Sequence, residues 1–493
     1  MDSLNIFPAF AFILSILHFL LQSRRRSDAH LPPGPPRRLI TGNISQIRGG
    51  KPYKLMADLA RTYGPVMSLR LGTVTTVVVS GAEAAREVLI KHDAVLSNRN
   101  VRHVAKALHH HKSSLIWSDN TEHWRNLRKI CSMHMFSSRQ LDATEELRRR
   151  KLTQLRGYFL QSSQRGATVD VGGAIFTTIL NMISNTLFSV DLASYGSEQS
   201  HEFEEIIFGT MEISANPNVA DFFPALQWVD PRGARRQAEI YSKKMLAVFD
   251  EIMVGRMKER EGRASVKNGD RDVLEALLDL KLEEHGLTLN DVKHLFLDLF
   301  LAGIDTTSSV LEWAAAELLH HPDKMAKAQA ELRGVVGGIR ESHVQELPYL
   351  QAVLKEALRL HPPAPLLLPH RPRTAVGIGG FTVPEGGQVL VNVWAIGRDP
   401  GVWEEAEVFR PERFVGSRID VKGQDFELVP FSAGRRICPG MSLAGRMMAM
   451  ILGTIVGFGW RVAGEMDMSD KMGITLVKKA HPIRAIPVLQ SKD

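Results

Sequence analysis

From Leu4 to Leu21 the chain is an almost unbroken apolar run, interrupted mildly by Asn5, Pro8, Ser15 and His18. As a helix that run would span about 27 Å, enough to cross a thin bilayer. Arg24-Arg25-Arg26 follows, and then Leu31-Pro32-Pro33-Gly34-Pro35-Pro36, a stiff stretch that cannot be helix. Further on, apolar positions recur at helical spacing over 52–63, 82–91, 121–134, 137–160, 171–187, 200–213, 232–260, 271–284, 290–320, 322–335, 347–360 and 440–459. Alternation over 66–80, with Gly72-Thr73 near the turn, predicts a hairpin, and short strand-like runs fall at 379–383, 387–393 and 472–478. Many helices with small sheets predict a mainly α architecture.

The N-terminal run has three readings: an anchor that stays, a cleaved signal peptide, or a core helix. Asp2 at the start, the long apolar core and the arginines directly behind it favour the anchor. The same arginines place the rest of the chain in the cytosol, as in a single-pass endoplasmic reticulum protein. Residues 1–23 are therefore read as the membrane anchor, 24–38 as a basic, Pro-rich hinge and 39–493 as the catalytic domain. Length alone, 493 residues, would allow about three domains. The net charge of +7 favours anionic membrane surfaces or an acidic protein partner. Nucleic acid is not indicated, since no basic run is interleaved with aromatics on one face. Two cysteines, Cys131 and Cys438, exclude a disulfide framework.

The strongest chemical signal is Pro430-Phe431-Ser432-Ala433-Gly434-Arg435-Arg436-Ile437-Cys438-Pro439-Gly440. With Cys438 as an axial iron ligand, each position has a task. Gly434 permits the left-handed turn that folds the loop beneath a flat cofactor. Arg436 can neutralise a haem propionate. The Cys438 thiolate pushes electron density to iron, and the N-terminus of the helix after Gly440 stabilises it. A lone cysteine is otherwise more often a buried structural residue. The second signal is Ala302-Gly303-Ile304-Asp305-Thr306-Thr307 within the long helix. Small Ala302 and Gly303 leave room for a haem face, and the Thr306 hydroxyl can bond back to the carbonyl at 302. Asp305 and Thr306 could then deliver protons; close helix packing is the alternative. Glu356 and Arg359 stand one helical turn apart, a weak pattern shared by Glu83/Arg86, Glu145/Arg148 and Glu146/Arg149, which read as solvated pairs. His361-Pro362-Pro363 and Phe409-Arg410-Pro411-Glu412-Arg413-Phe414 set it apart: a buried carboxylate between Arg359 and Arg413 would be a structural lock.

These motifs, in this order, resemble those of the cytochrome P-450 superfamily in its plant microsomal form, and Trp124-Arg125-Asn126-Leu127-Arg128 matches the family's Trp-x-x-x-Arg helix. The resemblance covers essentially everything after residue 30. It implies one mainly α domain, with haem b between the helices 290–320 and 440–459. It further implies that the propionates meet Trp124, Arg128, His370 and Arg436, with Arg99 beside them. Pro217-Asn218-Val219-Ala220-Asp221-Phe222-Phe223-Pro224 and Gly423-Gln424-Asp425-Phe426-Glu427-Leu428 narrow the likeness to the plant group of geraniol hydroxylases and ferruginol synthase. The chain departs from the pattern where Leu39-Ile40-Thr41-Gly42-Asn43 lacks a usual proline and Asn100 replaces one.

The function so implied is a monooxygenase that uses O2 and NADPH electrons to oxidise an apolar terpenoid. Gly334-Val335-Val336-Gly337-Gly338 is a turn after a helix, not a nucleotide loop, so NADPH belongs to a separate NADPH–cytochrome P-450 reductase, with cytochrome b5 as a further electron carrier. A basic face around Arg125, Lys129 and Arg435 could dock that partner. By the resemblance, Leu115, Ile116, Leu299, Ala302, Leu366, Leu367 and Ile474 wall the substrate pocket, although plain core packing explains any single one of them equally well. Alternatives are oxidation or oxidative coupling of a phenolic or alkaloid, a haem-thiolate isomerase or dehydratase, and a haem sensor or carrier.

Overall fold

The computed structural model describes residues 30–47, 51–228, 230–261, 272–280, 282–333, 339–462, 464, 466–471 and 478–489. The expected anchor, the first part of the hinge, Gly334–Gly338 and Ile474 lie outside the described residues.

Chain order begins with α1 (Pro52–Tyr63), then the hairpin β1 (Val66–Leu71) and β2 (Val74–Val79), and the short β3 (Asn98–Arg99). Helices α2 (Glu122–Ile130), α3 (Glu145–Arg165), α4 (Val171–Phe188), α5 (Glu198–Ala215), α6 (Ala234–Glu261), α7 (Leu289–His320) and α8 (Pro348–Leu360) follow. The strands β4 (His370–Arg371) and β5 (Gln388–Val391) precede the last helix, α9 (Met441–Val456). The fold is the expected one: mainly helical, with small sheets at its margin.

The centre is α7. Thr288 caps its N-terminus by accepting from the Asp291 N–H, and the Asp291 carboxylate accepts in turn from the Thr288 N–H. It is apolar on almost every side and buried along most of its 32 residues, the pattern of a helix packed all round. Helices α4, α8 and α9 pack against it. Phe188, Phe249, Phe296 and Phe300, all fully buried, tie α4 and α6 to α7 with ring centroids 5.0–6.3 Å apart. Helix α4 is long and apolar enough to cross a bilayer, yet 89% of it is buried in this core.

The five-stranded sheet runs β1-β2-β5-β4-β3. β5 lies parallel to β2, with Val77 opposite Val389, and β4 pairs antiparallel with β3 so that His370 stands opposite Arg99. Two residues 271 positions apart in sequence thus become cross-strand neighbours at the sheet's edge.

Several sequence expectations shift. The helix expected over 137–160 breaks at Thr144 into Ser138–Ala143 and α3. Thr144 Oγ1 donates to the Gln140 and Leu141 carbonyls and accepts from Arg148. Arg148 is not solvated with Glu145: it is fully buried and bonds Glu341 at 2.6 Å. Arg149 and Glu146 do form the exposed pair expected. The helix expected over 271–284 ends at Leu278. The run 379–383 is one arm of a hairpin, Val376–Ile378 against Phe381–Val383, turned by Gly379 and Gly380, both at positive φ.

Candidate functional site

Cys438 sits at the end of a loop closed by its own N–H, which donates to the Phe431 carbonyl at 3.0 Å. Gly434 makes that loop possible: its φ is +66°, and a Cβ there would stand 2.0 Å from the Leu89 carbonyl oxygen. Burial pushes the Cys438 thiol up, while the Gly440 N–H, the Arg128 guanidinium and the Met441 N–H favour the thiolate. The other cysteine, Cys131, is packed in the core, where burial pushes its thiol up to about 12.

On α7 the residues Leu299, Ala302, Gly303 and Thr306 form a half-accessible stripe on an otherwise buried helix. Their spacing puts them on one face. Thr306 Oγ1 donates to the Ala302 carbonyl at 2.6 Å, and Asp305 is fully buried. Gly303 also serves packing, since a Cβ on it would meet Ile183 Cδ1 of α4 at 2.9 Å.

Between the cysteine loop and the sheet edge lies a cluster of buried cations. Arg436 donates to the Ser97 carbonyl from Nε at 2.7 Å, to Leu115 from Nη1 at 3.2 Å and to Ser118 from Nη2, and stacks 4.0 Å over the Trp124 ring. Arg99 Nη1 donates to the Leu368 carbonyl at 3.0 Å, while its buried Nε has no acceptor among the described residues. His370 Nδ1 donates to the Leu96 carbonyl at 2.8 Å. Burial, aided by the neighbouring positive charges, depresses Arg436 to about 8 and His370 to about 3; burial alone takes Arg99 to about 10. Asp119, the nearby carboxylate, is held by Arg371. Guanidiniums bonded only to neutral carbonyls, repelling one another in a low dielectric, form a site for an anion. The donor set fits a dianionic haem: the Arg99 and Arg436 guanidiniums would neutralise its propionates, and Cys438 offers a thiol for its iron. Trp124 enters this cluster by stacking rather than as a donor, because its Nε1–H is already given to the Leu115 carbonyl at 2.9 Å. Arg128, half-buried, exerts its charge on both cysteines.

Of the expected wall, Leu115 and Ile116 lie in the segment whose carbonyls hold Arg436, and Leu299 and Ala302 lie on the α7 stripe. Leu367 is buried at a positive φ of 49°. Leu366 packs with Tyr53, Leu69 and Trp313 under the sheet, so core packing accounts for it. On the proposed docking face Arg125 and Lys129 are exposed, whereas Arg435 is paired with Asp93 at 3.3 Å.

Glu356 and Arg359 are both fully buried and joined by two bonds of 2.7 and 2.8 Å. Glu356 also accepts from Arg413 Nε at 3.0 Å and from the Arg410 N–H at 2.7 Å. Arg359 reaches on to the Gly397 and Ala406 carbonyls, fastening 397–413 to α8.

Sequence reasoning missed a buried polar network one turn before the stripe: Asp298 and His294 of α7, with His110 and Ser114. Its signal was the four-residue step His294–Asp298–Ala302–Thr306 on one side of the long helix. His110 lies within the run His109-His110-His111, which carries no spacing that points to Asp298.

The family model described as Cytochrome P450, written here P-450, matches residues 32–485. Cytochrome P-450 76T24 of Catharanthus roseus is 48% identical, over 93% of each chain. Geraniol 8-hydroxylase of the same plant is 43% identical over 99% of each, and drimenol monooxygenase of Persicaria hydropiper is 44% identical over 96% of each. A zebra fish cytochrome P-450 solved with progesterone superimposes with a TM-score of 0.74 at 26% identity, covering 89% of this chain and all of that one.

Proposed function

This chain belongs to the cytochrome P-450 family and is a monooxygenase of that family, and from that premise we propose that it oxidises a mostly apolar plant terpenoid. Among its relatives, geraniol 8-hydroxylase and drimenol monooxygenase are named for such substrates. What supports the proposal is the character of the expected wall together with these relatives: Leu115, Ile116, Leu299 and Ala302 are aliphatic or small, and the nearby guanidiniums bond to backbone carbonyls. A hydrocarbon skeleton gains about 25 cal/mol per Å2 buried there, whereas a charged substrate would cost several kcal/mol without a partner.

Haem-thiolate iron would supply reductive activation of O2, with electrons from NADPH through a reductase. The residues prepare that chemistry. Cys438 would ligate the iron, and the Gly440 and Met441 N–H groups oppose the upward push of burial on its thiol. Arg99 and Arg436 would take the propionates, joined by His370 once its Nε2 carries a proton, since its Nδ1–H is given to Leu96. Thr306, its hydroxyl hydrogen turned to the Ala302 carbonyl, offers its oxygen lone pairs to the pocket side and can pass protons there with Asp305. Residues 1–23 would anchor the protein in the endoplasmic reticulum with residues 39–493 in the cytosol.

The test reconstitutes the protein with a reductase. Reduced protein under carbon monoxide should give the red-shifted Soret band of a thiolate ligand, lost in Cys438→Ser and kept in Cys131→Ser. Terpene alcohols and sesquiterpenes should bind and turn over. Binding of anionic phenolics or alkaloids alone would overturn the substrate class and leave the band untouched.

A further inference from the structure

Asp298 of α7 is 3% exposed and, among the described residues, accepts no bond from a guanidinium or ammonium group. Its carboxylate instead gathers one loop. Oδ2 accepts the Leu115 N–H at 2.6 Å and the Ile116 N–H at 3.4 Å; Ser114 Oγ lies 2.9 Å from both oxygens; His110 Nε2 donates to Oδ1 at 2.9 Å. Ser114 Oγ in turn accepts from the Ile116 and Trp117 N–H groups at 3.1 and 3.0 Å. Behind His110 stands His294, their Nδ1 atoms 3.0 Å apart. Since a carboxylate can only accept, His110 must donate from Nε2, which leaves its Nδ1 to accept from His294 Nδ1–H. With both rings in their neutral forms, one direction of donation runs His294 to His110 to Asp298.

The loop so held has two faces of use. Leu115 and Ile116 supply the proposed wall, and the Leu115 carbonyl receives both Trp124 Nε1 and Arg436 Nη1. A shift at Leu115 is therefore felt by the pocket and by the cationic cradle together. Asp298 precedes Ala302, whose carbonyl holds Thr306, by one turn of the same helix.

We propose that Asp298, with His110 and Ser114, is a positioning residue that fixes the loop 114–118 against α7 and thereby sets which carbon of the substrate faces the reacting centre. This rests on the reading that Leu115 and Ile116 line the pocket. It acts through hydrogen bonds and not through charge, so an amide should replace the carboxylate. In Asp298→Asn the amide oxygen can accept the Leu115 N–H while the amide nitrogen donates to His110 Nε2, once the two rings exchange tautomers so that His110 Nδ1–H donates to His294.

The experiment compares wild type, Asp298→Ala, Asp298→Asn and Ser114→Ala, each as membrane-bound holoenzyme normalised to the carbon monoxide band. Probes are geraniol, drimenol and a phenyl-substituted imidazole, whose affinity reads the distal wall whether or not terpenoids bind. Asp298→Ala is expected to weaken the imidazole and the turned-over substrate at least fivefold and to change the product ratio. Asp298→Asn should restore affinity and ratio to within twofold of wild type, and Ser114→Ala should shift both in the alanine direction by less. Asp298→Asn behaving like Asp298→Ala would overturn the proposal in favour of a charge role, and Asp298→Ala behaving like wild type would overturn it outright. If Asp298→Ala yields no haem protein, the decision falls to Ser114→Ala and Asp298→Asn: an unchanged Ser114→Ala, or a failed Asp298→Asn, refutes the clamp. A wild type without the thiolate band would instead strike at the haem reading itself.

Discussion

Replacing Glu356 by Gln measures the cost of removing a buried carboxylate from between two guanidiniums. The wild-type carboxylate accepts from Arg359 Nε and Nη2, Arg413 Nε and the Arg410 N–H, with neither Glu356 nor Arg359 reached by solvent. Gln keeps the shape but turns an NH2 toward a guanidinium and removes the negative charge. Arg359 then retains only neutral acceptors, the Gly397 and Ala406 carbonyls at 2.6 and 2.7 Å among them. Removing one partner of such a pair typically costs about 3–5 kcal/mol, because the other charge stays buried and uncompensated. At 1.4 kcal/mol per decade that is roughly a 150- to 4,000-fold loss in the folding equilibrium. With an unfolding entropy of about 2.1 cal/mol/K per residue, or ~1 kcal/mol/K for a fold of this size, Tm should fall by about 3–5 °C. Circular dichroism melting of the holoprotein measures it. Glu146→Gln is the control: its bond to Arg149 has the same spacing and bidentate geometry but is exposed, so no shift should be resolved. Equal melting of the two variants would refute the argument that burial, not sequence spacing, gives the Glu356 pair its weight.

Thr306→Ala should keep the thiolate band and NADPH consumption while diverting oxygen to hydrogen peroxide, measured as less product per NADPH; unchanged coupling would remove Thr306 from proton delivery. His294 is held down to about 4, first by burial and then by His110, with Asp298 and Asp291 opposing and Lys293 adding slightly. The unfolded chain, titrating near 6.5, then binds its proton first, so stability should fall as pH drops from about 6.5 to 4 and be flat above. Denaturant midpoints across that window should show a slope that His294→Gln reduces; an unchanged slope would assign the acid limb elsewhere. Deleting residues 1–23 should release much of the protein from microsomes with its haem spectrum intact, and a wholly soluble full-length protein would contradict the anchor.

The helices that carry the chemistry were legible because their periodicity is long: α7 was expected over 290–320 and spans Leu289–His320. Boundaries failed where a side chain competes with the ladder, as Thr144 does. The cysteine loop was legible because Gly434 and Cys438 are constrained locally. Arg148 was misread because its partner, Glu341, lies 193 residues away, while Glu145 stands at helical spacing beside it. Asp298 escaped notice for a similar reason: its partners are two backbone N–H groups and the side chains of His110 and Ser114, all more than 180 residues earlier in the chain. The cradle was read residue by residue, but not the mutual repulsion of its guanidiniums, which exists only once the fold brings Arg99 close to Arg436.

The way Arg436 is held also sets a timetable for biosynthesis. Its guanidinium bonds carbonyls at Ser97, Leu115 and Ser118, made 339, 321 and 318 residues earlier. At about 5–20 residues per second, the early half of the cradle waits roughly 16–70 s before the residue that completes it is synthesised. Cys438, the proposed iron ligand, comes two residues later still, so neither it nor the complete cationic cluster exists until more than four-fifths of the chain has been made. Loading with haem is then confined to the end of synthesis. Until that point the indole of Trp124 and the apolar faces of α4 and α7 must be kept apart from other chains without the contacts that finally cover them.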